Sequence, residues 1–481
     1  MESEAEGQRQ SLKRQGWRPR FSAFSPLVMG PDQAKRKAGN IGPASAPETS
    51  VGSQKALRIP VIAGWLGTGF VLGFVGLAAY ISVLWAYYSG APVGVSRETV
   101  LIAFSLTSAL LIGPILHTLK PFQNPVWTIA AATLSGMLLI VILHYSPLRQ
   151  MTDLEGRNGL SWYMMVCLQN SAYFLLGTFM GIRPPANGAL LRSAAVLVFG
   201  SGALTIITLG FPNSFSFRLA TWGTGASGYH QLMADSLAVC GLFALSLLRT
   251  RWARIVLAGT LVGALFIAGS RSSLYATLVS LAIWLAWARA VRRPRAILIS
   301  MVLLGLALTA LSLTRYVSDT DIMSPQALIA EESVDLRAAF LRTGMDSIAE
   351  NPLTGALGSQ FEIHGSFGSY VHNFLAYYQQ FGPLVFVGCL VAWSWTLAKL
   401  FRRTTTHHGD GRKRWAVDLG RLLIAFSLVS VLIARSFVWP HVWLAVGFGA
   451  CCAAQGRIRK GAEASADRPG VPNPARYLGV E

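Results

Sequence analysis

Three arginines and one histidine are the side chains of this sequence best suited to chemistry. Arg218 lies in the segment Phe211–Ser227, just before an apolar run, and Arg271 lies in Gly-Ser-Arg-Ser-Ser at the head of another. Arg337 opens a helical pattern, and His372 stands in Tyr-Val-His-Asn-Phe where a further apolar run begins. Runs that start at Arg271 and His372 would point their positive helix ends to the same side. Several arginines beside helix N-termini could hold a diphosphate without a metal ion.

Each of these residues also has a purely structural interpretation. Arg218 and Arg271 could extend to lipid headgroups, Arg337 could pair with a nearby carboxylate, and His372 could be an interfacial hydrogen-bonding histidine. No cluster on this side has zinc spacing or an acidic pair that demands a divalent ion, so no metal and no cofactor are expected. A structural role is favoured for three other histidines on the same side: His230, His364 and His441.

Long apolar runs must position these side chains. The mean hydropathy is +0.45 and only 13% of the 481 residues are charged, less than a soluble chain of this length needs. We therefore predict an all-α polytopic membrane protein. About twelve runs approach the length of roughly 20 residues that crosses a hydrocarbon core. They fall at about 61–86, 99–119, 124–145, 160–182, 189–210, 228–248, 252–269, 271–291, 294–314, 371–398, 417–436 and 438–455.

The basic residues indicate an orientation. Of the 41 Lys and Arg residues, 32 lie in the N-terminal tail, in loops on one side of the predicted spans and at the C-terminus, and nine lie on the opposite side. The positive-inside rule places both termini in the cytoplasm, and in the inner (plasma) membrane of a Gram-negative bacterium the opposite side is the periplasm. The net charge of +19 is then a topology signal and a contact with anionic membrane lipid, and no nucleic-acid partner is expected.

One large periplasmic loop, at about 315–370, is the main polar segment between spans, and it holds eight of the 22 acidic residues. Leu341, Met345 and Ile348 recur at helical spacing within it and predict a helix that ends at Asn351-Pro352. We expect this apolar face to lie on the membrane surface or on the spans. The remaining chain divides into a disordered basic tail at 1–59, a membrane domain at 60–455 and a disordered tail at 456–481. The five cysteines are interpreted as buried apolar residues.

These motifs together resemble the O-antigen ligase and Wzy-type polymerase superfamily. The shared features are Gly269-Ser-Arg-Ser-Ser273, a large outer loop, Arg337 followed by Asn351-Pro-Leu-Thr-Gly355, and His372-Asn-Phe-Leu375 followed by Gly382. The chain departs from the family near Arg218, where a common Pro-Asn pair is replaced by Ser227-Gly-Tyr-His-Gln-Leu. It also has Leu341 near the place of a common tryptophan, and a variant glycine spacing after Gly355.

The resemblance implies a metal-independent, GT-C-like glycosyltransferase that works at the outer face of the membrane. The donor would be a glycan on undecaprenyl diphosphate, and the acceptor either another lipid-linked glycan, for a polymerase, or lipid A-core, for a ligase. Arg218 and Arg271 match positions that hold the diphosphate, Arg337 would bind donor or acceptor, and His372 would be the catalytic base. A chain-length regulator and a flippase are expected partners.

Two other classes compete with this interpretation. A twelve-span transporter or flippase of lipid-linked oligosaccharide or another solute would carry charged groups at mid-depth, and such groups are scarce here. A membrane scaffold would tolerate removal of the outer Arg and His side chains. Among the transferases, the sequence favours a polymerase, because no segment in it is recognisable as a binding site for lipid A-core.

Overall fold

Every regular element in the described part of this chain is a helix. The computed structural model describes residues 97–119, 124–152, 156, 158–182, 192–193, 195–200, 202–203, 229–248, 250–267, 270–289, 332–365, 371–402 and 411–452, all within the compact unit Gln54–Glu481. The helices are α1 (Arg97–Ala109), α2 (Ile112–Leu119), α3 (Pro125–Leu143), α4 (Tyr145–Gln150), α5 (Gly159–Ile182), α6 (Tyr229–Leu247), α7 (Arg251–Ile267), α8 (Arg271–Arg289), α9 (Glu332–Glu350), α10 (Ser359–His364), α11 (Leu375–Arg402), α12 (Gly411–Ile433) and α13 (His441–Cys452).

Four of these helices are long and apolar enough to cross a membrane. They are α3, α5, α11 and the part of α12 from Trp415 to Ile433. Shorter apolar helices lie within α6, α7, α8 and α13. The prediction of an all-helical chain with apolar helices compatible with a membrane is therefore confirmed in the described residues. The runs predicted at 61–86 and 294–314, and most of 189–210, lie outside those residues.

The single run predicted at 99–119 is two helices. Pro114 has no N–H to donate to the carbonyl of Leu110, and its ring crowds that turn, so α1 cannot continue through it. The chain turns at Leu110 and Leu111, and α2 begins at Ile112. A hydropathy window misses this break because the apolar composition continues across it.

The helices pack through small residues where backbones must approach closely. Helix α11 packs on α3, α8 packs along α12, and α6 contacts both α7 and α12. Helices α5 and α13 touch through glycines, since a Cβ on Gly177 would lie 2.2 Å from the carbonyl oxygen of Leu444. On the other side of the same contact, a Cβ on Gly447 would lie 2.3 Å from the carbonyl oxygen of Phe174. Such packing is typical of helices that associate by van der Waals contact.

The predicted loop helix is confirmed as α9, and it ends immediately before Asn351. Its two sides are packed differently. One side of α9 faces α11 and the residues just before it, and carries Phe340, Gly344 and Ser347. On the other side, Leu341 and Met345 remain 38% and 48% exposed. Gly344 permits a close approach to Val371, and the hydroxyls of Ser347 and Ser359 lie 3.0 Å apart at hydrogen-bond distance. The apolar stripe does not pack on the described spans, and its contact with a membrane surface stays a prediction.

Candidate functional site

His372 lies three residues before α11 rather than within a helix. The sequence predicted a run from about residue 371, but α11 begins at Leu375. The Val371 N–H donates to Gln379 Oε1 at 3.3 Å, and the Leu375 N–H donates to Asn373 Oδ1 at 2.9 Å. Asn373 thus satisfies an unpaired N–H at the start of α11. The backbone on both sides of His372 is fixed by side chains close to it in sequence.

Helix α9 brings Arg337 to His372. Phe340 places its ring centroid 5.8 Å from that of His372, and a Cβ on Gly344 would lie 2.0 Å from the Val371 side chain. Arg337 lies one turn before Phe340, is solvent-exposed, and influences His372 electrostatically. The structure therefore places Arg337 near His372, and their roles in catalysis stay a prediction.

The imidazole of His372 is held in its neutral form. Partial burial is the main cause that lowers the pKa of His372 from 6.5 to about 4, and the positive charges of Arg337 and Arg435 lower it further. The sequence interpretation required a base with a pKa near neutrality, so the value without substrate is lower than expected. An anion bound beside these cations would offset their charge and raise the pKa of the imidazole.

Arg435, which the sequence interpretation used only to count charges, lies at the centre of a buried polar cluster. Its Nε donates to Asp235 Oδ2 at 2.7 Å, and its Nη1 donates to Gln231 Oε1 at 2.8 Å. Its guanidinium carbon lies 4.2 Å from the centroid of the Trp439 ring. Arg435 and Asp235 are 1% and 2% exposed. The cost of removing both charges from water must therefore be offset by their mutual attraction and by their hydrogen bonds.

The same cluster reaches the first turn of α8. Arg435 Nη2 donates to the hydroxyl oxygens of Ser273 and Ser270, at 3.2 and 3.4 Å. The Ser273 hydroxyl donates to Asp235 Oδ1 at 2.5 Å, and the hydroxyls of Ser270 and Ser273 lie 2.6 Å apart. Arg271 stands between these serines as the first residue of α8. The start of α8 is therefore tied to Arg435, which in turn influences His372.

The structure describes some of the predicted site residues and not others. Arg337 and His372 are brought together, and for Arg271 the structure describes the helix position but not the side chain. Arg218 lies outside the described residues. Asp235 was missed, although a lone carboxylate within an apolar run was a signal for a functional or structural charge. Arg435 carried a weaker signal, as an arginine at the end of a predicted span.

A second polar network anchors the segment that follows α9. The Tyr163 hydroxyl donates to Gln380 Oε1 at 2.6 Å and accepts from Gln360 Nε2 at 2.7 Å. Gln380 Nε2 donates to Gln360 Oε1 at 2.9 Å, and the Gly358 N–H donates to Gln380 Oε1 at 3.1 Å. These buried groups join α5, α10 and α11, and so attach the segment after α9 to two of the longest apolar helices.

The site is suited to binding an anion beside a neutral imidazole. Arg337 and Arg435 act electrostatically on His372. The start of α8, whose serines bond Arg435, carries the partial positive charge of a helix N-terminus. Among the described residues, no group of three His, Cys, Asp or Glu side chains is arranged to hold a metal ion. Neither protein-family models nor curated proteins give a match to this chain.

Proposed function

We propose that this chain is an integral-membrane glycosyltransferase that uses glycans linked to undecaprenyl diphosphate. The observation that supports it most directly is the proximity of Arg337 to the neutral imidazole of His372. A lipid-linked donor carries a diphosphate on its anomeric carbon, which calls for cations, and an acceptor hydroxyl, which calls for a base. The site supplies both kinds of group within one small region.

In the proposed reaction His372 accepts the proton of the acceptor hydroxyl. The acceptor oxygen then forms a bond to the anomeric carbon while the bond from that carbon to the diphosphate oxygen breaks. The electron pair leaves on undecaprenyl diphosphate, whose charge is balanced by Arg218, Arg271 and Arg337. Direct attack inverts the anomeric carbon. A positioned base of this kind contributes about 10²–10⁴-fold in rate.

We place this site at the outer face of a bacterial inner membrane. The excess of basic residues in the tails and in the loops on the opposite side supports cytoplasmic termini and about twelve spans. The segment at 315–370 is then periplasmic, in a GT-C-like arrangement. The lipid tail of the donor would lie between helices, which explains why the enzyme is embedded in the membrane.

A polymerase is favoured over an O-antigen ligase. Both would use the same donor, and they differ in whether the acceptor is another lipid-linked glycan or lipid A-core. Analysis of lipids from a deletion strain separates them. Single repeat units on the carrier indicate a polymerase, long chains on the carrier indicate a ligase, and an unchanged glycan profile contradicts both.

The catalytic assignment is tested with His372→Ala in purified full-length protein. We expect loss of product from the lipid-linked donor, with membrane insertion and thermal unfolding close to those of the unmodified protein. The matched control is His144→Ala, since His144 is exposed and its Nδ1 contacts only the carbonyl of Ile140, at 2.9 Å. Full glycan assembly by the His372 variant would exclude its role as base.

A transporter of lipid-linked oligosaccharide is the second candidate, and the ion pair between Asp235 and Arg435 favours it. Charges buried among apolar helices often mark transport pathways. A flippase would deliver lipid-linked repeat units across the membrane without changing them. Incubation of reconstituted protein with a lipid-linked donor on both faces distinguishes the two, because new glycosidic bonds form only with the transferase.

A further inference from the structure

We propose that the buried ion pair between Asp235 and Arg435 is a positioning device that fixes the first turn of α8, and with it Arg271, relative to His372. The placement of the helix start is independent of the activity, whereas its effect on turnover rests on the proposed glycosyltransferase function. Arg435 is assigned here as a positioning residue and not as a group that touches substrate.

The hydrogen bonds of Arg435 indicate this role. All three nitrogens of its guanidinium donate to side chains of the protein, and the residue is only 1% exposed. The cavity beside it has a volume of about 10 Å³, which holds about one water molecule and excludes a sugar. The guanidinium is thus used to join parts of the chain rather than to receive a ligand.

The partners of Arg435 come from distant parts of the sequence. Asp235 lies in α6, Ser270 and Ser273 lie at the start of α8, and Arg435 follows α12. A planar guanidinium with donors in fixed directions sets the relative orientation of its partners, which an apolar contact of similar size would leave less defined. Ser273 also donates to Asp235, so the two charged groups and the helix start are mutually oriented.

The start of α8 is where this orientation bears on the proposed reaction. Ser270 directly precedes α8, and its backbone carbonyl accepts from the Leu274 N–H at 3.0 Å. Fixing its hydroxyl therefore fixes where the helix begins. Arg271 occupies the next position, and a shift of about 1 Å in a substrate-positioning group can reduce turnover about 10²-fold. The guanidinium of Arg435 also influences His372 electrostatically, so the same residue acts on the start of α8 and on the proposed base.

The first test measures position alone. All five native cysteines are buried, so R271C introduces a thiol whose reaction with a maleimide can be followed in the reconstituted full-length protein. We compare the labelling rate of R271C with that of R271C/R435K. Lysine keeps the charge but lacks the planar fork. A change of about threefold or more is expected, and an unchanged rate would overturn the proposal.

The second test is a double-mutant cycle on turnover of a lipid-linked donor. We expect R435K to lower turnover about tenfold or more, because misplaced groups lose rate steeply. R271A should lower turnover as well. If Arg435 acts through Arg271, R271A/R435K turns over no more slowly than R271A alone. Independent effects that multiply in the double variant would contradict the positioning role.

The matched control is Arg421→Lys, a second buried arginine in the same helical region. Arg421 lies in the middle of α12, where it contacts Asp418 at 3.4 Å and donates to the Leu400 carbonyl at 3.0 Å. It should leave both the labelling rate and the turnover within about twofold. Should R435K protein not accumulate in membranes, Ser273→Ala removes only the linking hydroxyl and is judged by the same criteria.

Failure of the proposed function has a different signature. If R271A and His372→Ala both retain full turnover, the glycosyltransferase assignment fails, while the labelling experiment still decides whether the ion pair positions α8. If both lose turnover but R435K changes neither labelling nor rate, the positioning proposal alone fails.

Discussion

The N–H of Ala356 donates a hydrogen bond of 2.7 Å to the main-chain carbonyl of Gln379, within α11. This carbonyl is available because its helical partner would be the N–H of residue 383, which is a proline. The kink at Gly382-Pro383 therefore creates an acceptor that the loop uses. Tyr378 strengthens the contact by donating from its hydroxyl to the Pro352 carbonyl at 2.9 Å. The Asn-Pro-Leu-Thr-Gly motif and the kink form one interlocked unit.

Gly355→Ala should disrupt this unit. Gly355 has a φ of +71°, and a Cβ there would lie 2.4 Å from the Gly382 nitrogen. The left-handed backbone alone costs a non-glycine residue about 1–2 kcal/mol, and the contact adds to it. We expect a lower unfolding temperature of the full-length protein in detergent and reduced product. The control is Gly259→Ala in α7, which has nothing within 4 Å of its Cβ position and should be neutral or stabilising.

Tyr163→Phe should destabilise the protein through the buried amide N–H that it leaves unpaired. Its hydroxyl bonds both Gln380 and Gln360 in a buried network, so its removal leaves the Gln360 N–H without that partner, whereas Gln380 Oε1 still accepts from the Gly358 N–H. Each such group costs about 1–3 kcal/mol in the free energy of unfolding. The control is Tyr378→Phe, whose hydroxyl bond is exposed and should cost less than about 1 kcal/mol. Equal losses in the two variants would contradict this account.

The sequence predicts local features of this fold better than its tertiary contacts. Helical runs and the stop at Asn351-Pro352 follow from composition and proline chemistry, and the structure agrees with both. The break at Leu110 was missed because hydropathy averages over Pro114. The close approach of α9 at Gly344 was not predicted, because it depends on which residue faces the glycine in the folded chain.

The candidate site shows the same division. Arg337 and His372 could be found because each stands beside a recognisable motif. The connection through Asp235 and Arg435 could not, since these residues are 200 positions apart and their hydrogen bonds exist only in the folded chain. A sequence indicates that a buried carboxylate needs a partner, but several arginines could supply it.

The pH dependence of kcat/KM should report the lowered pKa of His372. The base acts only when neutral, and its pKa lies near 4 instead of 6.5 because of burial and of the charges of Arg337 and Arg435. Activity toward the lipid-linked donor should therefore persist as the pH falls through 6.5 and decline only near 4. The measurement is initial rate at low donor concentration in protein that remains folded over this range.

Arg337→Gln tests the direction of the pKa shift in that pH profile. Removing a nearby positive charge favours the protonated imidazole, so the pKa of His372 rises and the acid limb moves to higher pH. Burial remains, so the limb should stay below 6.5. An acid limb at 6.5 in the unmodified protein, or a shift to lower pH in the variant, would contradict the electrostatic contact between these residues.

Gly344→Ala should impair turnover more than it impairs folding. A Cβ at this position would lie 2.0 Å from the Val371 side chain, so α9 or the residues around His372 must move. A displacement of about 1 Å at a base is enough to lower the rate about 10²-fold. The neighbouring Met345→Ala is the matched control, because Met345 is 48% exposed and its side chain points away from that contact. Turnover of the two variants is compared at equal amounts of inserted protein, and similar rates would show that the contact of α9 with Val371 does not position His372.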